Sequence, residues 1–248
     1  MLHKPFVREI AGSDTVILFI HGILGTPDHF RDLVPLVPVS WSIHNILLDG
    51  HGKTVNDFSK TSMKKWKRQV SDTMKDLAER YENILIAAHS MGTLFALSES
   101  IKYEEKVKGL FLLAVPLKLF LKPSASVNSI KVILNRVSED DPAAMAARDA
   151  YSLRPSKKLW AYGGWIPRYL ELFKEIRATR SRLSLVQVPC FVFQSEKDEM
   201  VSMGAVTYLK ANPRIEITVL RRSRHFFYDD DDYAYLLECF QSFISRNM

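Results

Sequence analysis

The stretch that decides the fold is ILIAAHSMGTLFALSESI, residues Ile84–Ile101. It opens with apolar residues, which is typical of a short strand buried on both faces of a parallel sheet. After Ser90, apolar residues recur every three or four positions in the sequence, which predicts a helix. A serine on so tight a turn from strand to helix needs small residues two positions away on each side, because the strained backbone brings those positions together. Ala88 and Gly92 meet that requirement.

The predicted turn gives Ser90 two features of a nucleophile. It directs the hydroxyl out of the sheet, and it leaves the following backbone amides unpaired at the start of a helix, where they can stabilise negative charge. We therefore interpret Ser90 as a nucleophile and the Met91 amide as a donor to an oxyanion. An ordinary serine at a helix N-cap is the alternative that the pentapeptide alone leaves open.

Further short runs rich in Val, Ile, Leu and Phe alternate with helix-period stretches along the chain. Their nearly unbroken apolar content is what strands buried on both faces require. The alternation favours a parallel sheet wrapped by helices over a sandwich. The six predicted strands are Val16–Ile20, Ile43–Leu48, Ile84–Ala88, Leu110–Val115, Cys190–Gln194 and Ile215–Leu220.

Capping residues predict where three more helices begin. Thr61 or Ser62 can cap a helix that continues to about Tyr81, and Ser202 can cap a short helix after the fifth strand. The four aspartates at 229–232 lie where the last helix begins, and their charges complement its dipole. The spaced acidic pattern of a calcium loop is absent from this run, so we interpret it as a helix start.

The segment Leu117–Val186 interrupts the alternation, because it holds no convincing buried strand. It contains instead helix-like stretches separated by prolines and by a pair of glycines. These stretches are Val127–Val137, Ala143–Tyr151 and Trp165–Leu185. We expect one domain over residues 1–248, with residues 117–186 inserted as a helical cap.

Composition excludes several classes of protein. The chain has 248 residues, 47% of them hydrophobic and 25% charged, which is the average of globular proteins. Its longest apolar run near the amino terminus, Val16–Ile20, is far shorter than the roughly 20 residues of a membrane span or the 7 to 15 of a signal-peptide core. We therefore expect a cytoplasmic protein without an integral membrane segment. The net charge is +6, and the basic residues form clusters in helix-like stretches. No recognisable motif for reading nucleic-acid bases accompanies them, so we expect no nucleic-acid partner.

Two loops strengthen the interpretation of Ser90. The sequence resembles the α/β-hydrolase family, whose turn motif is GxSxG, with Ala88 in place of the first glycine. After the first strand, residues 21–27 read HGILGTP and resemble the family's HGxxG loop. That resemblance implies that the Ile23 amide is the second donor to an oxyanion, and that His21 is a structural loop histidine.

A serine hydroxyl is a poor nucleophile at neutral pH, so a histidine must take its proton and an acid must orient that histidine. In the family both follow the serine, on loops after the last two core strands. The loop SEKDEMV, residues 195–201, resembles the acid loop, which implies Asp198 as the acid and leaves Glu196 and Glu199 as surface charges. The loop RRSRH ends at His225, which the resemblance implies is the general base.

The other histidines and the two cysteines are interpreted as having no role in catalysis or metal binding. His3, His29 and His44 have no matching context, and His89 cannot reach the adjacent Ser90 in the geometry that a base needs. All four are interpreted as surface or loop imidazoles. No spacing suggests a metal site, and the two cysteines are interpreted as buried thiols. We therefore expect no cofactor and no metal.

The resemblance implies an α/β-hydrolase fold, that is, a mostly parallel, doubly wound sheet with an inserted helical cap. It is strongest to bacterial carboxylesterases and monoacylglycerol lipases, which implies a serine hydrolase of small to medium acyl esters or monoacylglycerols. A thioesterase or another acyl hydrolase with the same triad remains open, as does an inactive, ligand-binding relative. The sequence does not decide the oligomeric state. Eight apolar residues could line an acyl pocket or simply pack: Leu119, Phe120, Leu121, Trp160, Trp165, Ile166, Tyr169 and Leu170.

Overall fold

A computed structural model describes residues 3–120, 131–132, 136–154, 156 and 158–248, and seven strands of these residues form one sheet. The strands are β1 (Phe6–Arg8), β2 (Thr15–Ile20), β3 (Ser42–Ile46), β4 (Asn83–His89), β5 (Val107–Leu113), β6 (Cys190–Ser195) and β7 (Ile215–Leu220).

The order of strands across the sheet is β1-β3-β2-β4-β5-β6-β7. All neighbours are parallel except β1, which pairs antiparallel with β3 at one edge. The six predicted strands are confirmed, with ends that agree or shift by at most three residues. Strand β1 was not predicted, because its three largely exposed residues carry no apolar run.

Residues of β2 alternate between two hydrophobic cores, one on each face of the sheet. Leu18 and Ile20 pack with the helix side chains Trp66 and Leu94 on one face. Phe19 packs on the other face in a cluster that includes aromatic residues of the last helix. Because both faces are covered, each strand needs apolar side chains at nearly every position. The doubly wound, mostly parallel sheet expected from the sequence is therefore confirmed.

The helices of the described residues lie between and after these strands. They are α1 (Val55–Ser59), α2 (Met63–Arg80), α3 (Met91–Lys102), α4 (Pro142–Ala150), α5 (Trp165–Arg182), α6 (Ala205–Leu209) and α7 (Asp230–Ser245). Ser62 caps α2, Asp229 is the N-cap residue of α7, and α3 begins directly after Ser90, as predicted. The prediction for α6 was wrong at its start: Ser202 instead accepts a hydrogen bond from the Gly204 amide, and the helix begins at Ala205.

The described part of residues 117–186 contains helices and no strand of the sheet. Two of its three predicted helices are present as α4 and α5, whereas Val127–Val137 lies mostly outside the described residues. Helix α5 is fastened to α2 by two contacts. Glu175 forms a 2.8 Å ion pair with Lys67, and Glu171 accepts a hydrogen bond of 2.9 Å from the Met63 amide. The division into one domain with a cap stays a prediction.

Candidate active site

Ser90 occupies the turn between β4 and α3 with φ 50° and ψ −123°. A positive φ is costly for a residue with a side chain, so the surrounding structure must hold this turn in place. The Ser90 amide donates to the Leu113 carbonyl at 2.9 Å, and the Ser90 carbonyl accepts from Thr93. The strand-to-helix turn predicted at Ser90 is observed.

Two glycines allow the backbone to approach this turn closely. A Cβ on Gly92 would overlap the Ile20 carbonyl oxygen at the end of β2. A Cβ on Gly22 would lie 2.8 Å from the Ser90 Cβ. The HGILGTP loop after β2 therefore lies directly against the Ser90 side chain, as an oxyanion loop must.

The amides proposed as oxyanion donors are those of Ile23 and Met91. Neither has a hydrogen-bond acceptor among the described residues. Ile23 belongs to the loop packed against Ser90, and Met91 is the first residue of α3, where a backbone N–H has no partner within the helix. Both amides are thus free to bind an oxygen that carries negative charge.

Asp198 and His225 meet across two loops at the same edge of the sheet. Asp198 follows β6, His225 follows β7, and the distance from Asp198 Oδ2 to His225 Nδ1 is 2.8 Å. Both side chains are only 2% exposed. The other carboxylate oxygen, Oδ1, accepts hydrogen bonds from the Met200 and Val201 amides at 2.7 and 2.8 Å. One carboxylate thus orders its own loop and holds the imidazole.

The loop before His225 is braced by the acidic start of α7. Asp232 Oδ2 accepts hydrogen bonds from the Arg222 and Ser223 amides and from the Ser223 hydroxyl, at 2.8 to 2.9 Å. Ser223 is fully buried and in turn accepts from the Asp229 amide. The aspartates predicted as a helix start therefore also support the histidine loop.

The Ser90 hydroxyl makes no hydrogen bond within the described part of the chain, and none to His225. Its neighbour His89 is close to His225, with ring centroids 4.9 Å apart. In enzymes without bound substrate, the contact between nucleophile and base is often long and tightens when substrate binds. Of the proposed site, the structure thus joins Asp198 to His225, and the residue that precedes Ser90 contacts His225.

The interpretation of His89 and His29 as surface or loop imidazoles was wrong. The two rings are 3.9 Å apart, and His89 is 1% exposed. The pKa of His29 is lowered to about 3, mainly by burial and secondly by the nearby His225. Burial also lowers the pKa of His89 well below its ordinary value. Both rings are therefore neutral at physiological pH. The signal in the sequence was position, since His89 directly precedes the proposed nucleophile.

The interpretation of Glu199 as a surface charge was also wrong. Glu199 is 6% exposed, and its Oε2 accepts a hydrogen bond of 3.3 Å from the His225 amide. Glu196, three residues earlier on the same loop, is exposed as expected. His21 is a structural histidine, as predicted: it is buried, and its Nε2 accepts from the Leu48 amide at 3.0 Å.

The candidate pocket residues between β5 and β6 fall into two groups. Leu119, Trp165 and Tyr169 pack against the core, which matches the packing alternative. The others within the described residues are more than half exposed: Phe120, Trp160, Ile166 and Leu170. Leu121 lies outside the described residues.

Other kinds of site were sought among the described residues. No group of three or more His, Cys, Asp or Glu side chains in them could hold a metal ion. None of the described helices has both the length and the apolar character to cross a bilayer. Cys190 is buried, as predicted, and Cys239 is partly buried.

Known proteins resemble the chain over nearly its whole length. The family model described as serine aminopeptidase, S33, matches residues 12–231. A thermostable monoacylglycerol lipase from Bacillus sp. (strain H-257) is 22% identical over 250 residues, which cover 98% of this chain and 95% of the lipase.

Solved structures share the fold. A metagenome-derived lipolytic enzyme of the LipS and LipT pair superposes with a TM-score of 0.74 at 20% identity, covering 98% of this chain and 97% of its own. The monoacylglycerol lipase of Paleococcus ferrophilus gives 0.68 at 12% identity, covering 98% and 99%. These likenesses confirm the fold that the sequence predicts.

Proposed function

We propose that this chain, which belongs to the serine aminopeptidase S33 family of α/β-hydrolases, is a serine hydrolase of carboxylic esters. The proposed nucleophile is Ser90, the general base is His225 and the acid is Asp198. The amides of Ile23 and Met91 form the proposed oxyanion hole.

One observation carries this proposal. The 2.8 Å contact between Asp198 and His225 lies at the carboxyl edge of the sheet, where the strained turn presents Ser90. Open parallel sheets bind ligands at this edge. A buried carboxylate at Nδ1 leaves Nε2 of His225 as the atom that can exchange a proton with the serine hydroxyl.

In the proposed acylation, the Ser90 oxygen attacks the ester carbonyl carbon while His225 Nε2 takes the hydroxyl proton. The carbonyl oxygen becomes an oxyanion, which accepts hydrogen bonds from the two free amides. Each such donor is worth about 3 kcal/mol in the transition state. When the tetrahedral intermediate collapses, the bond to the alcohol breaks and His225 returns the proton to the leaving alcohol oxygen.

The proposed deacylation repeats these steps with water. His225 takes a proton from a water molecule, which attacks the acyl carbonyl, and the same amides hold the second oxyanion. Collapse releases the carboxylic acid and returns the proton to the Ser90 oxygen. Asp198 keeps its charge throughout and stabilises the imidazolium at both stages.

We propose small to medium acyl esters or monoacylglycerols as substrates, with residues 117–186 acting as the cap. The similarity to monoacylglycerol lipases supports this choice. Because a thioester would release a thiol and leave the same acyl-enzyme, a thioesterase remains the second outcome to be tested. The cytoplasmic location stays a prediction from the sequence.

The test is labelling with a fluorophosphonate, which reacts with activated serines. We expect one label per chain, located at Ser90, and none on Ser90→Ala. Ser98→Ala is the matched control. Ser98 lies on α3, eight positions after Ser90, and its substitution should leave labelling unchanged. A label on any other residue, or undiminished labelling of Ser90→Ala, would disprove the assignment.

Substrate class is tested with p-nitrophenyl esters and monoacylglycerols of graded chain length, run beside a matched series of acyl-thioesters. We expect kcat/KM to be higher for the esters. Higher values for the thioesters would replace the proposed substrate and keep the triad. If the protein turns over neither series and also takes no label, an inactive relative is favoured.

A further inference from the structure

The backbone of His225 is held on both sides by buried side chains that the proposed mechanism does not use. Its amide donates to Glu199 Oε2 at 3.3 Å, and its carbonyl oxygen lies 3.2 Å from His89 Nε2. Both contacts are buried, and both are separate from the contact between Asp198 and the His225 ring. The peptide groups and the ring of one residue are thus fixed by three different side chains.

The contact with the His225 carbonyl oxygen defines the tautomer of the His89 ring. A carbonyl oxygen only accepts hydrogen bonds, so His89 Nε2 must carry the proton and donate it. Nδ1 of the neutral ring faces the HGILGTP loop, 3.3 Å from where a Gly22 Cβ would lie. The ring is enclosed by aromatic groups, with centroids 3.9 Å from His29, 4.9 Å from His225 and 5.5 Å from Phe226. His89 therefore contacts both the oxyanion loop and the base loop.

The contact from Glu199 comes from the loop that also holds the acid. Asp198 and Glu199 are consecutive, and their carboxylates bind the ring and the backbone amide of the same histidine. A hydrogen bond at Nδ1 alone would leave the ring free to move with its loop. With the amide and the carbonyl also held, the backbone of His225 is hydrogen-bonded on both sides as well as at its ring.

We propose that His89 and Glu199 are positioning residues that clamp the His225 backbone and so hold its Nε2 in reach of the Ser90 hydroxyl. This inference rests on the proposed function, because it concerns the same base. A displacement of about 1 Å in a reacting group can cost about 100-fold in rate, so loss of the clamp should lower kcat. Substrate binding does not involve these two contacts, so KM should change little.

The experiment compares variants that keep or remove each hydrogen bond. His89→Gln keeps an N–H donor near the position of Nε2, whereas His89→Met removes the donor and keeps the bulk. Glu199→Gln keeps an acceptor oxygen, and Glu199→Leu removes it. Glu196→Leu is the matched control, because this residue is exposed on the same loop and should retain full activity.

We expect kcat for a p-nitrophenyl ester to fall about 10- to 100-fold in His89→Met and Glu199→Leu, with KM within about threefold of the parent. Each glutamine variant should recover most of that loss. The rate of fluorophosphonate labelling at Ser90 should fall in parallel, because labelling needs the same base. The double variant should lose less than the product of the single losses, since both contacts hold one peptide.

Three results would overturn the clamp. The first is full activity in both His89→Met and Glu199→Leu. The second is a loss of kcat in the glutamine variants as large as in His89→Met and Glu199→Leu, and the third is a change in KM without a change in kcat. Thermal unfolding of every variant separates these results from misfolding, and the Glu199 pair provides the test where a His89 variant does not fold. Failure of the proposed function looks different, because the parent protein itself would then take no label at Ser90 and hydrolyse no ester.

Discussion

Acid should destabilise this protein through His21, a buried histidine of the HGILGTP loop. Its ring is fully buried, its Nε2 accepts a hydrogen bond from the Leu48 amide, and its Nδ1 lies 2.8 Å from the Gly22 carbonyl. Protonation would place an N–H at Nε2 against another N–H. Burial lowers the pKa of His21 from 6.5 to about 4, although the contact to the Gly22 carbonyl acts in the opposite direction.

The magnitude follows from this shift. Above pH 6.5 both the folded and the unfolded chain carry the neutral ring, so its contribution is complete there. Below that pH the unfolded chain binds a proton that the folded chain does not bind until about pH 4, and stability is lost across this window. Each pH unit within it costs about 1.36 kcal/mol, so His21 alone should remove about 2 kcal/mol between pH 7.5 and pH 5.

The assay is urea unfolding followed by far-ultraviolet circular dichroism at pH 7.5 and pH 5.0. We compare the parent with His21→Gln, which lacks a group that titrates in this range. The variant should be less stable at pH 7.5, because the contacts of the ring are lost, but its loss on acidification should be about 2 kcal/mol smaller than that of the parent.

The control is Ser98→Ala, which removes no titratable group and should lose as much stability on acidification as the parent does. Other buried histidines, such as His29, add to the loss in all three proteins and cancel in the comparison. An equal loss on acidification in His21→Gln and the parent would refute the assignment of a neutral, hydrogen-bonded ring at this position.

Three further predictions concern the site and its support. His225→Ala should lower ester turnover by about three orders of magnitude or more while the thermal unfolding temperature stays within a few degrees; a small loss of turnover would point to another base. Gly92→Ala should lower the free energy of unfolding by about 1 to 3 kcal/mol, because the new methyl group overlaps the Ile20 carbonyl, and an unchanged urea midpoint would contradict this close approach. Lys67→Met leaves the largely buried Glu175 carboxylate without its partner and should lower the free energy of unfolding by about 1 kcal/mol at neutral pH; an unchanged urea midpoint would mean that the ion pair contributes little.

The predicted strands were found because burial on both faces leaves a strong trace in the sequence. A run such as Val16–Ile20 has no polar position, since one neighbour or the other covers every side chain. The ends were less accurate: β5 begins at Val107, three residues before the predicted start, where the exposed Lys108 hides the pattern. Strand β1 is short and largely exposed, so it leaves no comparable trace.

Local signals also misled where a second local interaction competes. Ser202 has the residue type of a helix cap, and its hydroxyl does accept a backbone hydrogen bond, from Gly204. That contact forms a turn before α6 rather than the first turn of the helix. Serine favours both structures for the same physical reason, so residue type alone does not distinguish them.

The candidate site was predictable where its residues lie in loops with their own pattern. Ser90, Asp198 and His225 each follow a strand, and the carboxyl ends of parallel strands meet at one edge. His89 and Glu199 sit beside these residues in the sequence, yet they were interpreted as carrying no role. Their position beside the proposed nucleophile and acid was a signal, but their burial depends on what packs over them, and residue type alone does not reveal it.

The sequence by itself determined six of the seven strands and most of the helices between them, the tight turn at Ser90 and the loops that could bear an acid and a base. These features depend on residues a few positions apart, such as the small side chains two places before and after Ser90. Only the tertiary structure decided that His89 reaches the carbonyl of His225, 136 positions later, and that Glu199 holds its amide. Such contacts arise because the parallel order β4-β5-β6-β7 brings the loops after β4, β6 and β7 to one edge of the sheet, and the packing between those loops is a property of the assembled sheet.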